Sequence, residues 1–204
     1  MEFQRKVPIE RIVEPSHAAI LFLNFTEDNF EKCFSKMELT MGMDYLSWAI
    51  RKFEIPTIFA NLAEDPDIPE DLAEYRDSKI FNRSAHSAPK SSLDAKFMNE
   101  FQKYLPDKNS TSIEVKREDA FFSSGLAEKI RKMGKTTVMI AGFYTEVDVF
   151  ITAAEALMHD FYSVVISDAT STFSERVFFQ SLDMISQVVE VIDTRDLEKI
   201  WGVE

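Results

Sequence analysis

Short apolar runs alternate along the chain with stretches in which apolar residues recur every three or four positions. The runs are typical of strands buried on both faces of a parallel sheet, and the periodic stretches of amphipathic helices. Six runs have the length of a strand: 18–23, 57–62, 111–116, 136–142, 162–169 and 188–193. Strands that alternate with helices predict a three-layer α/β/α fold, with a six-stranded, mostly parallel sheet and right-handed crossovers.

The helical stretches lie between these runs. The first long one has apolar residues spaced by four, three, four and three positions: Leu39, Met43, Leu46, Ile50 and Phe53. Further helices are predicted near 94–105, before the C-capping Gly134, and after Ser174, which can cap a helix N-terminus. A polar tail that contains Trp201 is expected after the last strand.

Residues 63–90 have the least regular pattern. Pro66 and Pro69 disfavour continuous secondary structure, and the sequence DLAEYRD predicts one short helix there. The acidic residues of this segment lack the glycine and the ligand spacing of a calcium loop, so they indicate a solvated loop. We expect a lid-like segment within a single domain that covers residues 1–204.

Composition narrows the classes of function. The 204 residues, 45% of them hydrophobic, are enough for one domain with a sizeable core. Lys and Arg number 23 against 35 Asp and Glu, and the formal net charge of −12 argues against binding to nucleic acid or to an anionic membrane. No apolar run is long enough to span a bilayer, and the N-terminus lacks the apolar core of a secretion signal.

Side chains with their own reactivity are few. Cys33 is the one cysteine, which excludes an internal disulfide and fits a reducing, cytoplasmic location. We expect it to be a buried small hydrophobe. His17, His86 and His159 show no metal-ligand spacing, so the sequence predicts neither a metal nor another cofactor.

The segment 138–149, VMIAGFYTEVDV, has the pattern most typical of a functional site. It predicts a buried strand, a glycine turn and the start of a helix that continues through ITAAEALMH. The carboxyl end of a parallel strand, followed by a helix N-terminus, is where α/β proteins bind ligands. Asp148 lies in the first turn of this helix.

Four segments resemble the isochorismatase-like hydrolase superfamily. They are EPSHAAILFLN at 14–24, AFFSSGLAEKIRKMG at 120–134, AGFYTEVDVFITAAEAL at 141–157 and SDATSTFSE at 167–175. Their order and spacing hold from Glu14 to about Asp193, and the FSE sequence is most similar to isochorismatases of siderophore and phenazine pathways. The resemblance implies a hydrolase of a small ring or amide metabolite that uses no cofactor and forms homo-oligomers.

Three positions supply the chemistry of that superfamily. An Asp ends the first strand, a Lys follows the third strand, and a nucleophilic Cys begins the helix after the fourth. By resemblance these positions fall on Asn24, Lys116 and Asp148, so two of the three residue types differ from the usual pattern.

The turn before the nucleophile supplies the oxyanion hole of the superfamily. By resemblance, the substrate or oxyanion pocket of this chain falls on Phe143, Tyr144 and Val147. The superfamily often has a cis peptide bond in this turn, which implies one between Phe143 and Tyr144. The Asp-x-His-x-x-His pattern of metal-dependent nicotinamidases is absent from the sequence.

The substitutions leave two hypotheses about activity. Asn24 cannot exchange a proton at neutral pH, and Asp148 cannot act as a thiolate, so the acyl-cysteine route is closed. Either the chain is a hydrolase without a cysteine, in which Asp148 activates water or delivers a proton beside Lys116, or it is a catalytically silent member that binds a small ligand or a protein partner.

Each of these residues also has a purely structural interpretation. The sequence from Thr145 to Asp148 matches a helix capping box, in which the last side chain reaches back to the backbone of the first. Asn24 can satisfy a backbone group at the end of its strand, and Lys116 can be a solvated lysine.

Overall fold

A six-stranded parallel sheet forms the centre of the computed structural model, which describes residues 7–63, 67–83 and 109–202. Its strands are β1 Ala18–Leu23, β2 Thr57–Leu62, β3 Ser110–Val115, β4 Thr137–Gly142, β5 Tyr162–Thr170 and β6 Glu190–Ile192. Every neighbouring pair is parallel, and the order across the sheet is β3-β2-β1-β4-β5-β6. The predicted α/β class and the parallel sheet are confirmed.

Helices cover both faces of the sheet. Those in the described residues are α1 Ile9–Ile12, α2 Glu27–Lys32, α3 Lys36–Phe53, α4 Glu70–Arg83, α5 Leu126–Lys132, α6 Phe150–Met158, α7 Glu175–Ile185 and α8 Thr194–Ile200. Phe22 packs with Leu46 of α3 on one face, and Leu21 with Ile130 of α5 on the other. All residues of β1 and β4 are buried as a result. No helix in the described part of the chain is long and apolar enough to cross a membrane.

The direction in which strands are added to the sheet reverses beside β1. The chain adds β2 and β3 on one side of β1 and then returns to its other side with β4. In sheets with this order, the connections on the two sides leave β1 and β4 toward opposite faces, and ligands bind beyond the carboxyl ends of those two strands. A ligand site is therefore expected at this edge of the sheet.

Two helical segments differ from the predictions. The short helix predicted from DLAEYRD is longer and spans Glu70–Arg83. Ser174 occupies the N-cap position of α7, as predicted, but its side chain makes no capping hydrogen bond. The helix predicted near 94–105 lies outside the described residues, as do 64–66 and 84–90 of the predicted lid-like segment.

The polar tail predicted after the last strand forms a helix, since α8 follows β6. Asp193 caps α8 by accepting the N–H of Asp196 at 2.8 Å. Beyond the helix, the Trp201 indole donates to the carbonyl of Val13 at 2.9 Å, which ties this end of the chain to the core. Leu197 is the one fully buried apolar side chain of this seven-residue helix, so no helical period is visible in the sequence.

Gly42 allows α3 to lie close to β5. A Cβ at this position would be 2.5 Å from the backbone oxygen of Asp168, closer than real contacts permit. We expect Gly42→Ala to lower the free energy of unfolding by about 1–3 kcal/mol, because the helix or the strand must shift. Urea denaturation measures this change, and Met41→Ala, at an exposed neighbour in α3, should stay within about 0.5 kcal/mol of wild type. Equal midpoints for the two variants would contradict the close approach.

Candidate active site

The strands β1 and β4 end in contact with each other. Leu23 lies opposite Gly142, whose φ is 110°, and a Cβ on Gly142 would be 2.1 Å from the carbonyl oxygen of Leu23. Only glycine tolerates both the backbone conformation and this approach. The same carbonyl accepts the N–H of Phe143 at 2.8 Å. The residues that follow the two strands are therefore held side by side.

Asn24 is the first residue after β1 and joins the ends of three strands. It is 9% exposed and has a left-handed backbone, with φ at 46°. Its Oδ1 accepts the backbone N–H of Leu62 at 2.8 Å, which fixes the orientation of the amide. Its Nδ2 therefore points to the turn after β4, where it donates to Asp148 Oδ1 at 2.8 Å and to the Phe143 carbonyl at 3.3 Å.

Asp148 is 4% exposed and lies in a π-helical turn, Thr145–Val149, that leads into α6. Its Oδ1 accepts from Asn24, and its Oδ2 accepts the N–H of Tyr144 at 3.3 Å. Both donors and the helix N-terminus favour the ionised carboxylate, whereas burial opposes it. The Asn24–Asp148 pair thus contains one group that can accept a proton and one that can only donate a hydrogen bond.

The capping box predicted as the structural alternative is formed only in part. Asp148 does reach back to a backbone N–H, but to that of Tyr144 and not to that of Thr145. The Thr145 hydroxyl contacts the Thr170 hydroxyl at 3.2 Å instead of capping the helix. Because Asp148 also accepts from Asn24 on a different element, its role extends beyond closing a helix turn.

The three predicted pocket residues lie in the turn that contains the predicted cis peptide bond, which is present between Phe143 and Tyr144. The Phe143 ring is fully buried against Phe25, so its backbone, and not its ring, contacts Asn24. Tyr144 is half-buried, and its hydroxyl donates to the Asn29 side chain of α2. Val147 is half-buried too, and its N–H donates to the Tyr144 carbonyl at 3.2 Å.

Lys116 follows β3, which is separated from β1 by β2. Its Nζ lies 3.3 Å from Asp67 Oδ2, and its side chain is 46% exposed. The structure therefore brings Asn24 and Asp148 into direct contact, and it shows Lys116 in an exposed ion pair with Asp67.

Two residues of the site were not predicted from the sequence. Asn29 of α2 donates from Nδ2 to the Asn24 carbonyl at 2.8 Å and accepts the Tyr144 hydroxyl at 2.5 Å. Leu62 contributes the backbone N–H that orients the Asn24 amide. The sequence did contain a signal for α2, since Thr26 is a residue type that often caps a helix N-terminus. In the structure Thr26 is the N-cap of α2 and accepts the N–H of Asn29 at 3.3 Å.

Other reactive groups lie apart from this pair. Cys33 is 5% exposed, as predicted. Burial raises the pKa of its thiol, although a hydrogen bond with Ser171 lowers it, so the thiol stays protonated at neutral pH and is a poor nucleophile. Among the described residues, no three His, Cys, Asp or Glu side chains are grouped closely enough to hold a metal ion.

The contact between Asn24 and Asp148 predicts how an aspartate at position 24 would behave. In Asn24→Asp two carboxylates face each other, and the folded state keeps a proton that the unfolded chain releases. The folded-state pKa is then above the unfolded one, so stability is present at low pH and is lost as pH rises through the folded pKa. We expect Asn24→Asp to lose roughly 2 kcal/mol more, relative to wild type, at pH 8 than at pH 5.

Urea denaturation at the two pH values measures this loss. Asn109→Asp is the matched control, because Asn109 is a half-buried asparagine far from Asp148 in the sheet, and its amide donates to the Glu54 carbonyl. Its loss should not differ between pH 5 and pH 8. A loss for Asn24→Asp that is the same at both pH values would show that the two side chains are not in contact.

Comparison with known proteins adds to this geometry. The family model described as the isochorismatase domain matches residues 18–196. A probable isochorismatase of Pseudomonas chlororaphis is 28% identical over 80 residues, which are 39% of this chain and 39% of that protein. Enterobactin synthase component B of Escherichia coli K12 is 28% identical over 81 residues, 40% of this chain and 28% of that protein. These alignments span well under half of the curated relatives.

Solved structures show the same fold. An isochorismatase-like hydrolase from Alkaliphilus metalliredigens has a TM-score of 0.66 at 17% identity, over 93% of this chain and 99% of that one. The nicotinamidase of Bacillus subtilis has a TM-score of 0.66 at 18% identity, over 87% and 99% of the two chains. The family model covers most of the sequence. The chain belongs to the isochorismatase family.

Proposed function

We propose that the chain is a hydrolase of a small ring or amide metabolite that works without a cysteine nucleophile. The proposal rests on the 2.8 Å hydrogen bond from Asn24 Nδ2 to Asp148 Oδ1, at the edge where β1 and β4 end. By resemblance, the usual acid position is Asn24 and the usual thiol position is Asp148. The site therefore still contains one carboxylate. It lies at the helix start rather than at the strand end, and a hydrogen bond joins the two positions.

Asp148 is best suited to act as a base. Its donors, Asn24 and Tyr144, favour the anion, and an ionised carboxylate can take a proton from water. The water oxygen then attacks the carbonyl carbon of an amide or ester, and the proton held by Asp148 passes to the leaving group. Delivery of a proton to a vinyl ether requires a protonated acid at the start, which the same donors oppose.

Lys116 would act on substrate charge rather than on the bond that breaks. Its half-exposed ammonium lies 3.3 Å from Asp67 Oδ2. A negative substrate approaching Asp148 would be repelled by the carboxylate, and a cation near the edge offsets part of that repulsion. In this proposal Lys116 orients the substrate, and Asn24 orients Asp148.

A second candidate is a catalytically silent protein that binds a ligand without consuming it. It is favoured by the closed hydrogen bonding of Asn24, whose Oδ1 accepts from Leu62 and whose Nδ2 donates to Asp148 and Phe143. A polar pair that is satisfied within the protein, with Asp148 only 4% exposed, is stable without a substrate.

Turnover of two probes tests the first candidate. Isochorismate and nicotinamide are chosen because relatives and structural neighbours are an isochorismatase and a nicotinamidase. We expect the wild type to hydrolyse nicotinamide, whose amide suits a base, and not the vinyl ether of isochorismate. Asp148→Asn should lower kcat/KM for the amide about 10²- to 10⁴-fold, since the isosteric side chain cannot accept the proton. Chromatography of the products measures both rates. Cys33→Ala, which removes the one thiol, should keep wild-type activity.

Each outcome of that assay separates the candidates. Turnover that survives in Asp148→Asn would contradict the proposed base. Binding of a probe by calorimetry without turnover in the wild type would support the silent protein. In that case the double variant Asn24→Asp with Asp148→Cys, which restores the usual acid and thiol, should gain hydrolysis.

We also propose that the chain forms a homo-oligomer. The YcaC gene product of Escherichia coli is an octameric hydrolase. Its structure has a TM-score of 0.66 to this chain at 20% identity. Large apolar side chains are exposed on α6 and α7, among them Met158 at 68% and Phe179 at 55%. Exposed apolar groups on neighbouring helices are typical of interfaces.

Light scattering tests the assembly. We expect a mass that is a multiple of 23.5 kDa for the wild type, and a lower mass for Phe179→Asp, because a charge would be buried in the interface. Gln180→Asp adds the same charge at the exposed neighbouring position and should leave the mass unchanged. A monomeric wild type would end the proposal.

A further inference from the structure

Asn29 connects two parts of the site that belong to different elements. It lies on α2 and is 9% exposed. Its Nδ2 donates to the backbone carbonyl of Asn24 at 2.8 Å, and its Oδ1 accepts the hydroxyl of Tyr144 at 2.5 Å. A single buried amide therefore contacts two residues that donate hydrogen bonds to Asp148, Asn24 and Tyr144.

The direction of these hydrogen bonds follows from the chemistry of the groups. A backbone carbonyl can only accept, so the Asn29 nitrogen must face Asn24. The Asn29 oxygen then faces Tyr144, and the phenol must be the donor. The hydroxyl proton of Tyr144 therefore points to Asn29 in this arrangement.

Asn29 also supports the backbone of Asn24. A left-handed conformation is unfavourable for most residues with a side chain, and asparagine adopts it more readily when local hydrogen bonds support it. The Asn24 carbonyl accepts two hydrogen bonds in this conformation, from Asn29 Nδ2 and from the N–H of Thr26 at 2.9 Å. Because the backbone angle sets where the Asn24 side chain points, these bonds direct its Nδ2 to Asp148.

We propose that Asn29 is a positioning residue, which through Asn24 and Tyr144 directs both described donors onto the Asp148 carboxylate. The catalytic consequence of this arrangement rests on the proposed function, whereas the arrangement itself does not. Loss of Asn29 should therefore loosen the contact between positions 24 and 148 even in a protein that turns over no substrate.

The pH-dependent stability of Asn24→Asp measures that contact. In Asn24→Asp with Asn29→Leu, we expect the difference in the loss of stability between pH 5 and pH 8 to fall to less than half, because the two carboxylates are no longer held together. A role for Asn29 in folding alone would lower stability equally at both pH values and leave the difference intact, which would overturn the proposal. Asn24→Asp with Asn109→Leu is the control and should keep the full difference.

A second measurement avoids the double variant, which has two destabilising changes. The Raman doublet of tyrosine distinguishes a phenol that donates a hydrogen bond from one that accepts. Subtraction of the Tyr144→Phe spectrum isolates this residue from the other tyrosines among the five of the chain. We expect a donor signature in the wild type, its loss in Asn29→Leu, and its retention in Asn29→Asp, whose carboxylate still accepts.

An acceptor signature for Tyr144 in the wild type, or a donor signature that survives in Asn29→Leu, would overturn the proposal. Neither measurement requires a substrate. A chain that fails to hydrolyse both probes but shows the expected pH and Raman changes would therefore refute the proposed function and leave the role of Asn29 in place.

Discussion

The site depends on the close approach of β1 and β4 at their carboxyl ends. Gly142 lies so near the carbonyl of Leu23 that a methyl group at this position would be 2.1 Å from it. Asn24 and the turn that contains Asp148 begin at these two residues. A larger residue would separate the strands, and a hydrogen bond of 2.8 Å has little range before it is lost. The contact between Asn24 and Asp148 therefore depends on a glycine at position 142, which has no side chain to push the strands apart.

The surroundings of position 24 explain why an amide lies there. The side chain meets two acceptors, Asp148 Oδ1 and the Phe143 carbonyl, and one donor, the N–H of Leu62. A carboxamide provides both a donor and an acceptor group, so it satisfies all three partners. A carboxylate would satisfy Leu62 and be repelled by the other two. Once Asp148 occupies the helix start, the strand end is better served by Asn24 than by an acid.

Much of this arrangement follows from patterns that a sequence displays. Apolar runs identify the strands, and parallel strands end at a common edge, so the meeting of Asn24 with Asp148 could be predicted. The contact of Asn29 with Tyr144 could not, because it joins side chains 115 positions apart through a helix of six residues. Lys116 was identified by resemblance. The direction of its side chain could not be predicted from the sequence, because that side chain is long and flexible.

A second carboxylate near this edge, the half-buried Asp168, makes contacts of a different kind. Asp168, near the end of β5, accepts both the N–H and the hydroxyl of Thr194, the first residue of α8. Burial raises the pKa of Asp168, and the bonds from Thr194 lower it. Its partners therefore belong to one helix terminus, which is the pattern of a cap. Asp148 instead accepts from Asn24, just after β1, and from its own turn, where the strand order reverses. In the proposed function Asp148 is the carboxylate that meets a ligand, because it lies where the connections of β1 and β4 diverge, whereas the contacts of Asp168 hold the start of α8.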